Sequence, residues 1–533
     1  MALWFATESF SDDEREILER YFTDLHGPVF ALMHLPEAVK GAMFARYSRT
    51  TKSLRRLFLD EFADEVGDAV TSTETGRARA ARLYESVFVE YGDDSVAQLG
   101  GVHLACEQSS QLLAKALEWG RLAAYLEQST RYMRYDDRPG GRWRATIPPE
   151  LEGTELEAGY RGLLDETFDL YDRMYDPLRE HFEAKHPKQE HDSDFVYRQT
   201  IMAKTCDALR LLLPAGTRSN LGIYATGQSY EQLLMRLAVH PLAEMREYGA
   251  LMKPQLDAVI PEFLKRVDVA ERGVAWSTYW RDVRERTEDL AAKLLNGVPA
   301  EERPVVTLTD HDPEGELKVT AAVLYAAGDL PDDQLLDVVR AMGADARAEI
   351  LRASVGARAN RRHKPGRAWE RTDYRFDVVC DYGAFRDLQR HRPLTIEWQR
   401  LTPALGFEVP PDVEESGLGA DWTRAMERSR ETHDEIAAAG LLDAAQYAVA
   451  MAYRIRFVMQ MTAREAMHLT ELRSQPAGHP AYRKVAQEMH RAIAAVHPAI
   501  GEAFAYISYD DVDLERLEAE RRTEANRNAL HQG

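Results

Sequence analysis

Cysteine is nearly missing. Cys106, Cys206 and Cys380 are the only three in 533 residues, and none has CxxC spacing. A disulfide framework and a cysteine-rich zinc site are excluded, and a reducing cytoplasm is the expected setting. Basic residues are also in the minority, 67 Lys and Arg against 88 Asp and Glu, for a formal net charge of -21. A nucleic-acid partner needs a basic face to meet its phosphates, so that class is excluded as well. Small anionic ligands stay open, because a few arginines at one spot suffice for them. No stretch approaches the roughly 18 apolar residues of a membrane span. The opening "MALWFATESFSDDERE" lacks the cationic start and apolar core of a signal peptide, so a soluble intracellular protein is expected. Neither GxGxxG nor a P-loop occurs, so a dinucleotide would not be held in Rossmann fashion.

Core-forming material is plentiful, with 45% hydrophobic and 9% aromatic residues, and the length calls for two or three domains. "SDDEREILERYFTDL" opens with a Ser cap and an acidic first turn, followed by Ile17, Leu18, Tyr21 and Phe22 at helical spacing. The segment 94–121 sets Val96, Leu99, Val102, Cys106, Leu113 and Leu117 on one stripe and reads as a long helix. The Pro/Gly-rich segment 136–153 reads as a loop; helices are expected over 155–181 and 196–213. After a linker at "LLNGVPAEERP", Val305, Val306 and Leu308 predict a short strand, with a helix from Gly315. Residues 376–380 favour a strand, and 443–474 reads as a long helical pattern broken near its middle. His181, His186 and His191 recur at a spacing that suits neither a helix face nor a known zinc pattern, and a surface loop is expected there.

One knot of cations stands out in this acidic chain: Arg390, His391 and Arg392 in "DLQRHRPLTIEWQRLTP". The two halves also share an order of parts, each ending in an apolar helix with a terminal Arg and a following His-Pro: "QLLMRLAVHPLAEMREYG" and "HLTELRSQPAGHPAYRKVA".

The cationic knot resembles the signature of the flavin-dependent thymidylate synthases, R-H-R-x-x-S-x-N-E-x-S-x-R-Y. Arg390, His391 and Arg392 match, with Thr395 for the first Ser; Glu397, Trp398, Arg400 and Thr402 then replace Asn, Glu, Ser and Arg. The missing half lies in "WGRLAAYLEQSTRY", where Glu127, Ser129, Arg131 and Tyr132 keep the E-x-S-x-R-Y spacing and Arg121 alone survives from R-H-R. Downstream, "ALRLLLP" keeps Arg210 and "MTAREAMHLTELR" keeps Arg464, His468 and Arg473, whereas "AQYAVA" has lost its Arg and "ATGQSYEQLLMR" keeps only Arg236. Each copy has kept what the other lost.

The resemblance implies an α+β chain of two tandem homologous domains, each a small, mainly antiparallel sheet with several long helices. They would span residues 1–295, carrying the nucleotide half-motif, and 303–520, carrying the flavin half-motif, with a tail at 521–533. It implies an FAD-dependent thymidylate synthase that methylates dUMP with methylenetetrahydrofolate and NADPH. Glu127, Ser129, Arg131 and Arg210 would bind dUMP, with Arg131 fork to fork on the phosphate. Arg390, His391, Arg392, Arg464 and His468 would hold FAD. Arg464 and His468 are four apart and share a helix face. Arg473, nine residues beyond Arg464 and so about half a turn round, would instead polarise the pyrimidine carbonyl as the catalytic cation. No metal is implied, and a homodimer would mimic the family's four-lobed assembly. Two readings remain beside this one. Asp387 stands where the family has Gln, which leaves room for a methylase of another pyrimidine; a nucleotide-binding paralogue without turnover is the other.

Overall fold

The computed structural model describes residues 8–27, 30–47, 52–63, 98–510 and 512–532. The chain forms two compact units. One comprises Met1–Cys106, Leu122–Leu126 and Leu221–Gly297; the other comprises Glu107–Arg121, Glu127–Asn220 and Val298–Gly533. The fold is mainly helical with two small antiparallel sheets, as the resemblance implies. Among the described residues, no helix is long and apolar enough to cross a membrane.

In the first unit the helix Asp12–Glu19 starts at the expected Ser11. The Glu14 amide donates to Ser11 Oγ at 3.2 Å and the Ser11 amide to Glu14 Oε2 at 2.8 Å, a reciprocal capping box. Tyr21 and Phe22 fall beyond the helix end but are buried, where both pack on Phe58.

The first sheet has the order β1-β3-β2, with β1 Gly101–Ser110, β2 Ala123–Glu127 and β3 Arg218–Thr226. The second has the order β4-β5-β7-β6, with β4 Val306–His311, β5 Asp373–Asp381, β6 Thr395–Trp398 and β7 Arg454–Thr462. In β5, Tyr374, Phe376, Val378 and Cys380 point inward, and in β7 so do Ile455, Phe457, Met459 and Met461. β5 and β7 run antiparallel from Asp373↔Thr462 to Asp381↔Arg454.

β4, β5 and the helix Gly315–Tyr325 agree with the sequence reading, as do the helices Leu156–Lys185 and Asp194–Leu209. Two helical readings fail. Residues 101–110 form β1, followed by the short helix Gln111–Leu117; Gly100 and Gly101 weaken any helix entering there, and Ser110 starts a new one. Val96 lies outside the described residues. In 443–474 the centre is β7, not helix: Ile455, Phe457, Met459 and Met461 alternate with Arg454, Arg456, Val458 and Gln460. Its Met, Arg and Gln are good helix formers, and sheet pairing overrides that preference.

The tandem plan is visible in the connections. β1-β3-β2 and β5-β7-β6 have the same order. The first strand of each trio runs into a side-chain-capped short helix, through Ser110 Oγ (3.0 Å from the Leu113 amide) and Asp381 Oδ1 (2.7 Å from the Ala384 amide). The last strand of each ends at a threonine cap, Thr226 or Thr462, each 3.4 Å from the amide it accepts. Inside the second unit the segments before β3 and β7 pair reciprocally. The Ala215 amide donates to Val449 O at 2.8 Å and the Met451 amide to Leu213 O at 2.9 Å. The Gly216 amide donates to Tyr447 O at 3.0 Å and the Ala452 amide to Leu211 O at 2.8 Å. Any antiparallel pair exchanges bonds, but here equivalent positions of the two motifs donate to each other's equivalent acceptors, as a local two-fold relation between two copies requires.

One close approach anchors β4 to the helical layer. A Cβ on Gly315 would lie 2.5 Å from both His497 Cε1 and Thr372 Oγ1. His497 cannot yield, since Nδ1 accepts from Tyr374 Oη at 2.8 Å and Nε2 donates to Asp312 O at 2.9 Å. Gly315→Ala is expected to cost about 1–3 kcal/mol through overpacking, read as a fall in the urea midpoint at constant slope.

Candidate nucleotide site and its cationic surroundings

The site is built within the second unit. β2 ends at Glu127, and the chain then turns through Ser129, Thr130 and Arg131. The helix Asp194–Leu209 delivers Asp207 and, at its end, Arg210. β5 launches the capped helix Tyr382–Leu388, which carries Arg386 and Asp387 and leads into Arg390 and His391. β7 launches the helix Ala463–Arg473, with Arg464, Glu465, His468 and Arg473. The helix Pro480–Val496 adds Tyr482.

All of these except the helix Ala463–Arg473 contribute to a cavity of about 250 Å³, lined by Glu127, Ser129, Arg131, Arg210 and Tyr132 from one half-motif and by Arg386, Asp387 and Arg390 from the other; Arg473 is not among its lining residues. Thr130, Tyr482 and Arg516 complete much of the wall. The two halves therefore meet within one chain. Five arginines face two carboxylates there. Arg131 Nε and Arg210 Nε both lie 2.9 Å from Asp207 Oδ1. The Nη2 atoms of both arginines are buried without a hydrogen-bond partner among the described residues. Buried guanidinium donors left unmatched are costly, and an anion in the cavity is what would match them. Burial first of all pulls Arg210 down, to about 10, which still leaves it charged at neutral pH. Burial would raise the Tyr482 phenol, yet Arg131 and Arg473, at 5.5 and 5.4 Å from its ring centre, hold it below its ordinary value.

Glu127 forms the cavity floor. Arg386 Nη2 donates to its Oε1 at 2.6 Å and Lys115 Nζ to its Oε2 at 3.2 Å; Lys115 also pairs with Glu118. Burial would raise its carboxyl, but Arg386, Lys115 and Arg390 hold it well below the usual carboxylate range. Thr130 Oγ1 accepts from Arg210 Nη1 at 3.4 Å and from Arg386 Nη1 at 3.5 Å, joining the two half-motifs through one hydroxyl. Asp387 does not present a bare charge to a phosphate: it is paired with Arg390, and Arg473 Nη1 lies 3.6 Å away.

The remaining cations of the signature separate. Arg390 faces the cavity while staying partly open to solvent, and Arg392 is exposed. His391 is buried, with Nδ1 3.0 Å from Glu465 Oε1 and Nε2 accepting from Arg473 Nε at 3.0 Å. His468 packs edge-on against it at 5.6 Å between ring centres. Arg464 donates to Pro365 O at 2.9 Å and lies 3.4 Å from Glu370. His391, Glu465 and His468 offer ligand atoms within 4.8 Å of one another. Lys364, Arg464 and Arg473 crowd that trio with positive charge, which disfavours a metal cation. His181 sits on the helix Leu156–Lys185 rather than in a loop, 3.9 Å from Asp412 and 3.7 Å from Glu415.

Motif spacing does not single out Arg386, Asp207, Tyr482, Glu465 or Arg516. Arg386 carries a usable signal, since it lies one helical turn before Arg390. Asp207 likewise precedes Arg210 by one turn. Tyr482 and Arg516 arrive through tertiary packing alone.

The local two-fold also locates the counterpart of this cavity. Lys115 holds the place of Arg386 in its capped helix, and both grip the one Glu127. Trp119 stands where Arg390 would be, and Trp398 where Glu127 would be. Their rings meet edge to face at 6.1 Å, and Trp119 Nε1 donates to Ile396 O at 3.3 Å. Aromatic packing replaces the charges there.

The model of the family described as "Thymidylate synthase complementing protein" matches residues 38–262 and 306–499. The chain belongs to that family. The two matched segments follow one another along the sequence, as expected for tandem copies. A UPF0159 protein of Chlamydia pneumoniae is 37% identical over 97% of this chain and 98% of its own length. A UPF0159 protein of Thermoplasma acidophilum is 29% identical over 91% of this chain and 98% of its own. Among solved structures, a UMP/dUMP methylase PolB from Streptomyces cacaoi bound with 5-Br dUMP matches at 21% identity and a TM-score of 0.31, over 37% of this chain and 93% of that one.

Proposed function

We propose that the chain is a flavin-dependent thymidylate synthase with one composite site per chain, converting dUMP to dTMP with methylenetetrahydrofolate and NADPH. The observation that carries the reading is the single cavity in which Glu127, Ser129, Arg131 and Arg210 face Arg386 and Arg390. Its excess of cations and its unmatched guanidinium donors suit a phosphate dianion. Arg131, Arg210 and Ser129 take the phosphate, and Arg390 closes it from the other half-motif. Arg473, over Tyr482 and beside Asp387, supplies positive charge toward the pyrimidine carbonyl.

The three cysteines are buried and none lines this cavity, so the residues present do not offer a thiolate to attack the base. That leaves the protein with positioning and charge stabilisation. For FAD, the cations outside the cavity that gather around His468, namely Lys364, Arg361 and Arg464, would hold the pyrophosphate. His391 has no free nitrogen for it. FAD would supply the hydride, and NADPH would reduce it.

The test uses the purified full chain. Its absorption spectrum is expected to show bound flavin, and tritium release from 5-tritiated dUMP is expected only with methylenetetrahydrofolate and NADPH. Because Trp119 and Trp398 occupy the counterpart position, calorimetric titration should return one dUMP per chain. Two sites per chain, or a colourless protein without tritium release, would overturn the reading.

A further inference from the structure

We propose that Glu465 is a positioning residue which, through His391, fixes the guanidinium of Arg473 in its place beside the nucleotide cavity. This rests on the reading of Arg473 as the cation facing the pyrimidine.

An arginine can only donate, so the 3.0 Å contact from Arg473 Nε makes His391 Nε2 an acceptor. Burial first, then Arg473, His468, Arg390 and Lys364, hold His391 well below its ordinary value, so the ring is neutral. A neutral ring with an accepting Nε2 carries its proton on Nδ1. That proton points at Glu465 Oε1, 3.0 Å away. An ionised Glu465 can only accept, and it thereby selects the one tautomer that Arg473 can use. Arg473 needs such a guide. Burial disfavours its charge and Arg131 adds to this, while Tyr482, through its hydroxyl, and Asp387 at 3.6 Å favour it without fixing the direction of Nε.

The lock has a pH at which it opens. Burial raises the Glu465 carboxyl to about 7, with Lys364 and Arg464 opposing. The charged and titratable groups facing the pair are Lys364, Arg464, His468, Arg473 and Arg390. A protonated Glu465 can itself donate to Nδ1. It then no longer selects one tautomer, and the fraction of rings with the proton on Nε2 faces the Arg473 N–H donor against donor. Function should therefore rise as pH climbs through about 7.

Two measurements test this. In protein labelled with 15N-histidine, with His391→Gln for assignment, the wild type at pH 8 should show the Nδ1–H tautomer at His391. Glu465→Ala should show a mixture, and Glu465→Gln, whose amide oxygen can still accept, should retain part of the preference. An Nε2–H tautomer in the wild type sinks the proposal without any reference to turnover. In the activity assay, Glu465→Gln should lower kcat by ten- to a hundredfold, since misplacing a group by about 1 Å can cost about a hundredfold. KM for dUMP should change little, and the rise near neutral pH should disappear. An unchanged pH profile in Glu465→Gln would also refute it. A wild type with the expected tautomer but no turnover would instead fault the assigned reaction and leave the positioning intact.

Discussion

Arg131→Ala is expected to weaken dUMP binding by roughly 2–5 kcal/mol, from about thirtyfold to several thousandfold, the range for truncating one partner of a buried charged contact. The fold should tolerate the change. Asp207 keeps Arg210 at 2.9 Å, so no buried carboxylate is stranded, and the Tyr482 ring keeps Arg473. Titration calorimetry with dUMP and with deoxyuridine separates the possibilities. If Arg131 meets the phosphate, the nucleoside binds wild type and variant equally, and the loss appears only with the nucleotide. An equal loss for both ligands would place Arg131 at the base or the sugar and undo the assignment. Arg131→Lys should recover only part of the affinity, because a lysine cannot give two parallel donors. A melting curve for each variant guards against unfolding as the cause.

Much of this site is legible in the order of the residues. The half-motif spacing points to Glu127, Ser129, Arg131 and Arg210, and these four line the cavity with Arg390. What spacing cannot give is the partition of the R-H-R triplet. Three consecutive residues at the end of a short capped helix point in different directions, so Arg390 enters the cavity, His391 turns into the core and Arg392 meets solvent. Sequence order also hides the partners. Glu127 and Arg386 are 259 residues apart and meet only because the second unit gathers segments from both halves. β1 and β7 read as helix because short strands holding Met, Ala, Gln and Ser satisfy helical and alternating patterns alike.

The duplication also explains why the two motifs could erode in opposite places. While two identical copies pair about a two-fold axis, each composite cavity takes residues from both. With Trp398 in place of the carboxylate and Trp119 in place of the arginine of one cavity, only the other copies of those charges, Glu127 and Arg390, still line a cavity. Lys115 still serves a cavity, through Glu127 of the charged one. The asymmetry is a consequence of fusing the copies in one chain, where each position can mutate once without altering its twin.

Glu127→Ala should then strongly destabilise the second unit. It removes the carboxylate shared by Lys115 and Arg386, both nearly inaccessible; Lys115 keeps Glu118, but Arg386 is left a buried cation without its carboxylate. Breaking a buried pair in this way costs about 3–5 kcal/mol. Arg386→Ala should cost less, because Glu127 would keep Lys115 at 3.2 Å. The double variant should be more stable than the sum of the two, with a coupling of about 0.5–3 kcal/mol. The pH dependence has a definite sign. Since Glu127 is held far below its unfolded value of about 4.3, its contribution is present above that value and is lost only as pH falls through the folded one. The gap between wild type and Glu127→Ala should therefore stay constant from pH 8 to pH 5 and close only in strong acid. Urea unfolding followed by hydrogen exchange in the helix Tyr382–Leu388 reads both effects. Strictly additive losses would mean that Lys115, Glu127 and Arg386 do not act as one buried network.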